Sequence, residues 1–387
     1  MLVPLSAEET QRIEKQAWTK ADGVDPSAMI QSSLGQARLG HQADGACVFL
    51  DSAGRCRIHL KFGEAAKPLA CRLYPLVFHP TGKKFVVGLR FSCPSAVADR
   101  GRPMIELGTD ILKLAQQVLP EDYEEILPPP VLAEPVAEWP DLLRFTHWLD
   151  QTLAPADIPV ALKLLRALHW LSAVERGCLD QITGESADEI LEALVQSSAK
   201  KLPALPRETK KPTRFGRLIL RLLVLEHART VTVADTDVRS GQHWKMFIAA
   251  MKFFPSNGST PALRPELGRV GFAKIENNFG PLSANAEQLL TRYFRVKIQS
   301  LHFCGKGFYD RPLIEGFRNL ALVYPITIWL TRWLAVSAGR TSVADADVMR
   351  AISLVDCHFG FSPYLSWRTR LLQQRDDIVR LCQSYAQ

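Results

Sequence analysis

The sequence predicts a mostly α-helical protein with a small, irregular α+β cysteine-cluster module at the N-terminus, followed by a large helical domain. Three observations lead there. From about residue 105 onward, apolar residues recur at helical spacing. Residues 44–95 instead break into short apolar runs punctuated by glycines and prolines. Four of the eight cysteines fall within residues 47–93. The expected division is a metal-binding module over 1–104 and a helical domain over 105–387.

The elements follow in order. Ser6-Ala7-Glu8-Glu9 reads as a capping box, in which Ser6 caps free backbone N–H groups and Glu9 bonds back, opening a helix that runs to about Lys20. Within 44–95 the apolar runs are Cys47–Leu50, Arg57–Leu60 and Phe85–Phe91, and Asp51-Ser52-Ala53-Gly54 and Pro80-Thr81-Gly82-Lys83 are turn sequences. This stretch has few large apolar residues, so a metal would be its natural staple. Beyond it, Ile105, Leu107, Ile111, Leu112, Leu114, Ala115 and Val118 mark a helical face, and Leu127-Pro128-Pro129-Pro130-Val131 is a stiff connector. Helices are expected at about 140–153, 157–178, 186–199, 216–228, 242–253, 283–302, 312–337, 343–357 and 363–385. Asp345 and Asp347 suit the first turn of one of them, and Pro325 should kink or end another. The adjacent carboxylates Glu124-Glu125 and Asp376-Asp377 read as solvated faces.

Bulk properties narrow the function classes. The net charge of +7 favours acidic partners or anionic surfaces, yet no nucleic-acid motif accompanies it, which argues against nucleic acid. The basic stretch 200–214 (Lys200, Lys201, Arg207, Lys210, Lys211, Arg214) reads first as a solvated loop and second as a docking surface. No secretory signal opens the chain. The best candidate membrane span, between Arg318 and Arg332, offers only 13 uncharged residues including Pro325, where a span needs about 20. The expected compartment is the cytoplasm, where clustered cysteines point to metal or catalysis rather than disulfides.

Cys47, Cys56, Cys71 and Cys93 are the candidate metal ligands, spaced C-x8-C-x14-C-x21-C. Thiolates are soft and negatively charged, and four of them complete a tetrahedral zinc site or a 4Fe-4S cluster. The spacing is wider than the paired C-x2-C of zinc ribbons, but each cysteine stands beside a turn or small residues, and Pro94 follows Cys93. Buried apolar cysteines are the competing reading. His59 and His79 could replace a ligand or support one, and Arg72 and Arg90 could offset thiolate charge. Cys178, Cys357 and Cys382 read as structural, while Cys304, ahead of Gly305, could sit near a site.

The run Cys47-Val48-Phe49-Leu50, Gly54-Arg55-Cys56-Arg57-Ile58-His59, Lys67-Pro68-Leu69-Ala70-Cys71-Arg72-Leu73-Tyr74-Pro75 and Cys93-Pro94 resembles the YkgJ-like cysteine-cluster family. Its C-R-x-Y-P step after an I-H step is the specific part, and the likeness covers about 50 residues. A weaker likeness runs from Gln288 to Phe294 and through 308–330. The family is described as zinc- or iron-chelating and includes the flagellin lysine N-methylases. The resemblance therefore implies an iron–sulfur cluster or zinc, and methyl transfer from S-adenosylmethionine to a protein substrate. Family members carry a further C-x2-C-x2-C-C element ahead of a segment like Val3-Pro4-Leu5-Ser6, and the sequence starts where that element would end.

No G-x-G-x-x-G turn, P-loop, G-x-S-x-G or H-E-x-x-H element is present. No S-adenosylmethionine site and no catalytic base can be assigned from the residues. Two further readings stay open: a non-enzymatic interaction protein stapled by zinc or a cluster, and a redox or metal sensor whose module unfolds on losing its cluster.

Overall fold

The computed structural model describes residues 3–33, 35–42, 45–133, 138–180, 182–206, 211–229, 251, 253, 258–361 and 377–386. The fold is mostly α-helical with a small strand-containing N-terminal region, as the sequence predicts. Two compact units make it up: residues 1–74 with 229–252, and residues 75–228 with 253–387.

The first unit opens on helix α1 (Ala7–Lys15). Its capping box is formed: Glu9 N donates to Ser6 Oγ at 3.1 Å, and Ser6 N donates to Glu9 Oε2 at 2.9 Å. The helix stops short of the expected Lys20. Asp22 accepts from the backbone N and hydroxyl of Thr19 at 3.0 and 2.8 Å, which starts a separate tight turn over Lys20–Asp22 and lets Trp18 turn into the core. Strands β1 (Ile30–Ser33) and β2 (Gln36–Leu39) form an antiparallel hairpin absent from the sequence reading. Two short helices follow, α2 (Arg57–Phe62) and α3 (Leu69–Leu73). The run Arg57–Leu60 is thus helical. The core is richer than residues 44–95 alone suggest, because Ile13, Trp18, Val24 and Leu39 join Phe49 and Ile58. Trp18 packs against Phe49 with ring centroids 5.2 Å apart.

The second unit begins with the hairpin β3 (Leu76–Pro80) and β4 (Phe85–Leu89), closed by Thr81 N donating to Lys84 O at 2.7 Å. Contacts divide the two units after Tyr74. The physical reason is that residues 75–100 bond to the helices of this unit, with Ser92 N donating to Asp356 Oδ2 at 2.9 Å and Ser353 Oγ to Phe91 O at 3.0 Å.

Short helix α4 (Pro94–Val97) and α5 (Gly108–Val118) follow. Helices α6 (Trp139–Leu153), α7 (Val160–Arg176), α8 (Gly184–Lys201) and α9 (Arg214–Ala228) match the expected segments within a few residues. So do α11 (Ala284–Gln299), α12 (Leu313–Ser337) and α13 (Asp345–His358), with a single turn, α10 (Phe272–Ile275), ahead of them. The C-terminal α14 covers Asp377–Ser384. The helix expected over 242–253 and the first part of that expected over 363–385 lie largely outside the described residues, as do residues 207–210 of the basic stretch.

Helix α12 is the axis of this unit, packed against α7, α9, α10, α13 and α14. By length and composition it could cross a membrane, but its apolar window is 89% buried within the protein. Pro325 neither ends it nor starts a new element. A proline at that point withholds the N–H that would bond to the carbonyl four residues back. That carbonyl, Ala321 O, instead accepts from Cys382 Sγ of α14 at 3.6 Å. Asp377 corrects the reading of Asp376-Asp377 as a solvated face: it is 1% exposed. Its carboxylate accepts from Thr213 N and Oγ1 at 3.1 and 2.8 Å, where the positive end of α9 favours negative charge. A Cβ on Gly216 would stand 2.6 Å from the Asp377 Cγ, so only glycine lets the carboxylate approach. Glu124 and Glu125 are exposed, as expected.

Candidate metal centre

Three of the four predicted ligands belong to the first unit and arrive from three different local structures. Cys47 leads into Val48 and Phe49 and bridges to His41 across a short antiparallel contact. Next comes a turn built by Asp51, whose Oδ1 accepts from Ala53 N and Arg55 N at 2.9 and 2.8 Å. This turn folds the chain back so that Arg57 N donates to Phe49 O at 2.8 Å and Cys56 stands at the start of α2. Cys71 lies inside α3. Helix α3 is tied to α1 by Glu9, whose Oε1 accepts from Leu69 N at 2.6 Å, and by Arg12, which donates to Lys67 O at 3.3 Å. The N-terminal capping box therefore also positions a candidate ligand.

Cys47, Cys56 and Cys71 are half-buried and pack against one apolar core. They feel one another. Burial pushes the Cys71 thiol up to about 12, and Cys47 and Cys56 nearby push in the same direction. Lys67 works against them. Burial also raises the Cys47 thiol, a backbone hydrogen bond from Phe49 opposes it, and Cys56 adds to the rise. Cys47 and Cys71 so placed resist ionising unless a cation shares their charge. Such a soft sulfur set suits zinc, copper(I) or an iron–sulfur cluster. Among the described residues, no group of three or more Cys, His, Asp or Glu side chains is arranged to hold a metal ion. The three thiols are gathered but do not close a cage.

The other predicted site residues are divided between the two units. Cys93 belongs to the second unit and stands ahead of α4, with its carbonyl accepting from Val97 N at 3.0 Å. His59 is exposed and its Nδ1 pairs with Glu64 Oε2 at 2.7 Å, so its ring is committed to the surface. Arg72 is half-buried on α3. His79 is on β3 in the second unit. Arg90, in the same unit, lays its guanidinium over the Phe361 ring, 3.9 Å from the centroid. Cys304 is buried and its thiol is raised by burial, and Cys382 serves α12; Cys178 and Cys357 are exposed.

The sequence reading missed a buried polar cluster in the second unit. Lys297 Nζ lies 2.6 Å from Asp356 Oδ1, and both side chains are 0% exposed. Lys297 Nζ is also 2.9 Å from His302 Nδ1, and Asp356 Oδ2 holds Ser92 N. Tyr293 lies beside the same carboxylate; burial first, and then Asp356, raise its hydroxyl well above the usual range. Nothing in the residue types marks this pair, because each member sits singly on an amphipathic helix.

No family model matches the chain, and neither a curated protein nor a solved structure is similar to it. Fold and thiols together define a class: a mostly helical protein with a small N-terminal unit that gathers three cysteines on one core.

Proposed function

We propose that this chain is a metal–thiolate protein whose first unit takes a metal ion or an iron–sulfur cluster on Cys47, Cys56 and Cys71. One observation carries the reading: three thiols from separate segments share one core, close enough that Cys56 adds to the rise of the Cys47 and Cys71 thiols. A bound cation offsets that rise and ties together a unit with a small core. An iron–sulfur cluster is the first expectation from the resemblance, and zinc is the second.

The test is anaerobic purification with elemental and sulfide analysis of the full chain and of Cys47→Ser, Cys56→Ser, Cys71→Ser, Cys93→Ser and Cys382→Ser. Metal should be stoichiometric in the parent and in Cys382→Ser, and strongly depleted in the first three variants. The Cys93→Ser protein reports whether a fourth thiolate takes part. Equal metal in all six proteins, or none in the parent, would sink the reading. We extend the proposal to methyl transfer from S-adenosylmethionine to a protein lysine on the strength of the resemblance alone. Calorimetric titration of the metal-loaded protein with S-adenosylmethionine tests that step separately, and no binding confines the metal to a structural role.

A further inference from the structure

The second unit contains a groove of about 510 Å³ between the loop that joins α6 to α7, the start of α7, and α11. Arg292, Arg295 and Gln299 of α11 line it. Their spacing of three and four residues puts them on one face of the helix. Both arginines are within reach of a ligand, with 28% and 35% of their side chains exposed. Ile158, Pro159 and Val296 supply apolar wall.

The two arginines are held in place. Asp150 accepts from Arg295 Nε and Nη2 at 2.8 and 2.9 Å, and from Gln299 Nε2 at 3.0 Å. Arg292 donates through Nη1 to Asp99 Oδ1 at 2.5 Å and through Nη2 to Val97 O at 2.7 Å. Its guanidinium also stands 5.3 Å from the centroid of the Phe91 ring. The described lining residues include both arginines but neither Asp99 nor Asp150, so these carboxylates grip the guanidinium groups from outside the groove. A guanidinium has five N–H donors. The Asp150 fork takes two of those on Arg295 and leaves its Nη1 amino group.

The other charges of the wall leave this face positive. Lys163 Nζ donates to Thr291 Oγ1 at 3.1 Å, and its charge adds to those of the arginines. Glu287 is occupied, because its Oε2 accepts from Val160 N at 2.7 Å, at the positive end of α7. Asp157 is exposed on the loop, where solvent and salt screen it. We propose that this groove binds a small organic anion, a carboxylate or a phosphate monoester on an apolar body, with its oxyanion on Arg295 and Arg292 and its body against Ile158 and Val296. Planar guanidinium groups match both oxyanions, and groups already fixed lose little freedom on binding. Asp150 is then a positioning residue. The site does not rest on the metal reading.

The experiment titrates the full chain by calorimetry with hexanoate and phenyl phosphate, with hexanol as the uncharged control and inorganic phosphate as the control without a body. At least one of the two organic anions should bind saturably, and the tighter of them tells carboxylate from phosphate ester. Arg295→Gln should weaken that binding about tenfold or more. Asp150→Asn should weaken it too, although it removes a negative charge, because the guanidinium is no longer held. Absence of saturable binding by both organic anions overturns the proposal. So does hexanol binding as tightly as hexanoate, or inorganic phosphate as tightly as phenyl phosphate. Binding that Arg295→Gln leaves unchanged, or that Asp150→Asn strengthens, overturns it as well. Should either variant fail to fold, NMR of labelled arginine in the parent decides: Arg292 and Arg295 signals that stay fixed on saturation overturn it equally.

Discussion

At the scale of single residues, the second unit concentrates its electrostatic risk in a few side chains. Lys297 and Asp356 are fully buried together, an arrangement in which each partner mainly prevents the other from being an uncompensated charge. The histidines beside them are kept neutral: burial lowers His302 well below its ordinary range and His79 to about 4. Unfolding releases both to ordinary values near 6.5. Between about pH 6.5 and 4, the unfolded chain therefore binds protons that the folded protein refuses, and stability falls as pH falls through that window. Each such histidine contributes a slope of up to about 1.4 kcal/mol per pH unit. Urea unfolding of the parent between pH 7 and 4.5 should show a declining midpoint, with a shallower decline in His79→Leu. A His79→Leu profile parallel to the parent's would mean that this imidazole titrates normally. The thiols show the same physics with the opposite charge. Burial and nearby thiols hold Cys71 protonated, so uptake of the proposed metal would displace protons and should weaken as pH falls.

At the scale of elements, the helices with strong periodicity were legible and those shaped by long-range bonds were not. Helix α12 was read to within a residue at either end, because its apolar run is long and its flanks are polar. What serves the carbonyl left free at Pro325 was not readable, because the donor, Cys382, comes from α14. Asp377 was misread for the same reason: its partner Thr213 is remote in sequence. In the first unit the cysteines and the capping box were visible. The β1–β2 hairpin and the short helix carrying Cys71 were not, since such brief segments carry too little pattern to outweigh tertiary contacts. A double-mutant cycle checks the Pro325 account. Cys382→Val should cost about 1–3 kcal/mol by stranding the Ala321 carbonyl. In a Pro325→Ala background, where residue 325 can donate its own N–H, the same change should cost measurably less. Additive effects in thermal or urea unfolding would show that the thiol does not serve this carbonyl.

At the scale of the whole molecule, the two units carry their stability differently. The second has a continuous aromatic and aliphatic core around α12, including Trp170, Trp329 and Trp333. The first has a smaller core, centred on Trp18, Phe49 and Ile58, against which the three thiols pack. If those thiols hold a metal, its removal should loosen one unit and spare the other. Hydrogen exchange before and after chelation should show faster exchange at amides around Phe49 and Ile58, with those of Trp329 and Trp333 unchanged. Uniform acceleration across both would contradict a metal confined to the first unit.

The central position of α12 also bears on how the chain is made. A 25-residue apolar helix leaves the ribosome before α13 and α14, two of the helices that cover it, have been synthesised. During that interval, chaperones and targeting factors meet a segment with the length and hydropathy of a membrane anchor. A chain terminated ahead of Asp377 would keep that segment partly uncovered and leave the Ala321 carbonyl without its thiol. Quality-control proteases would then read as misfolded a helix whose apolar window is 89% buried in the finished protein.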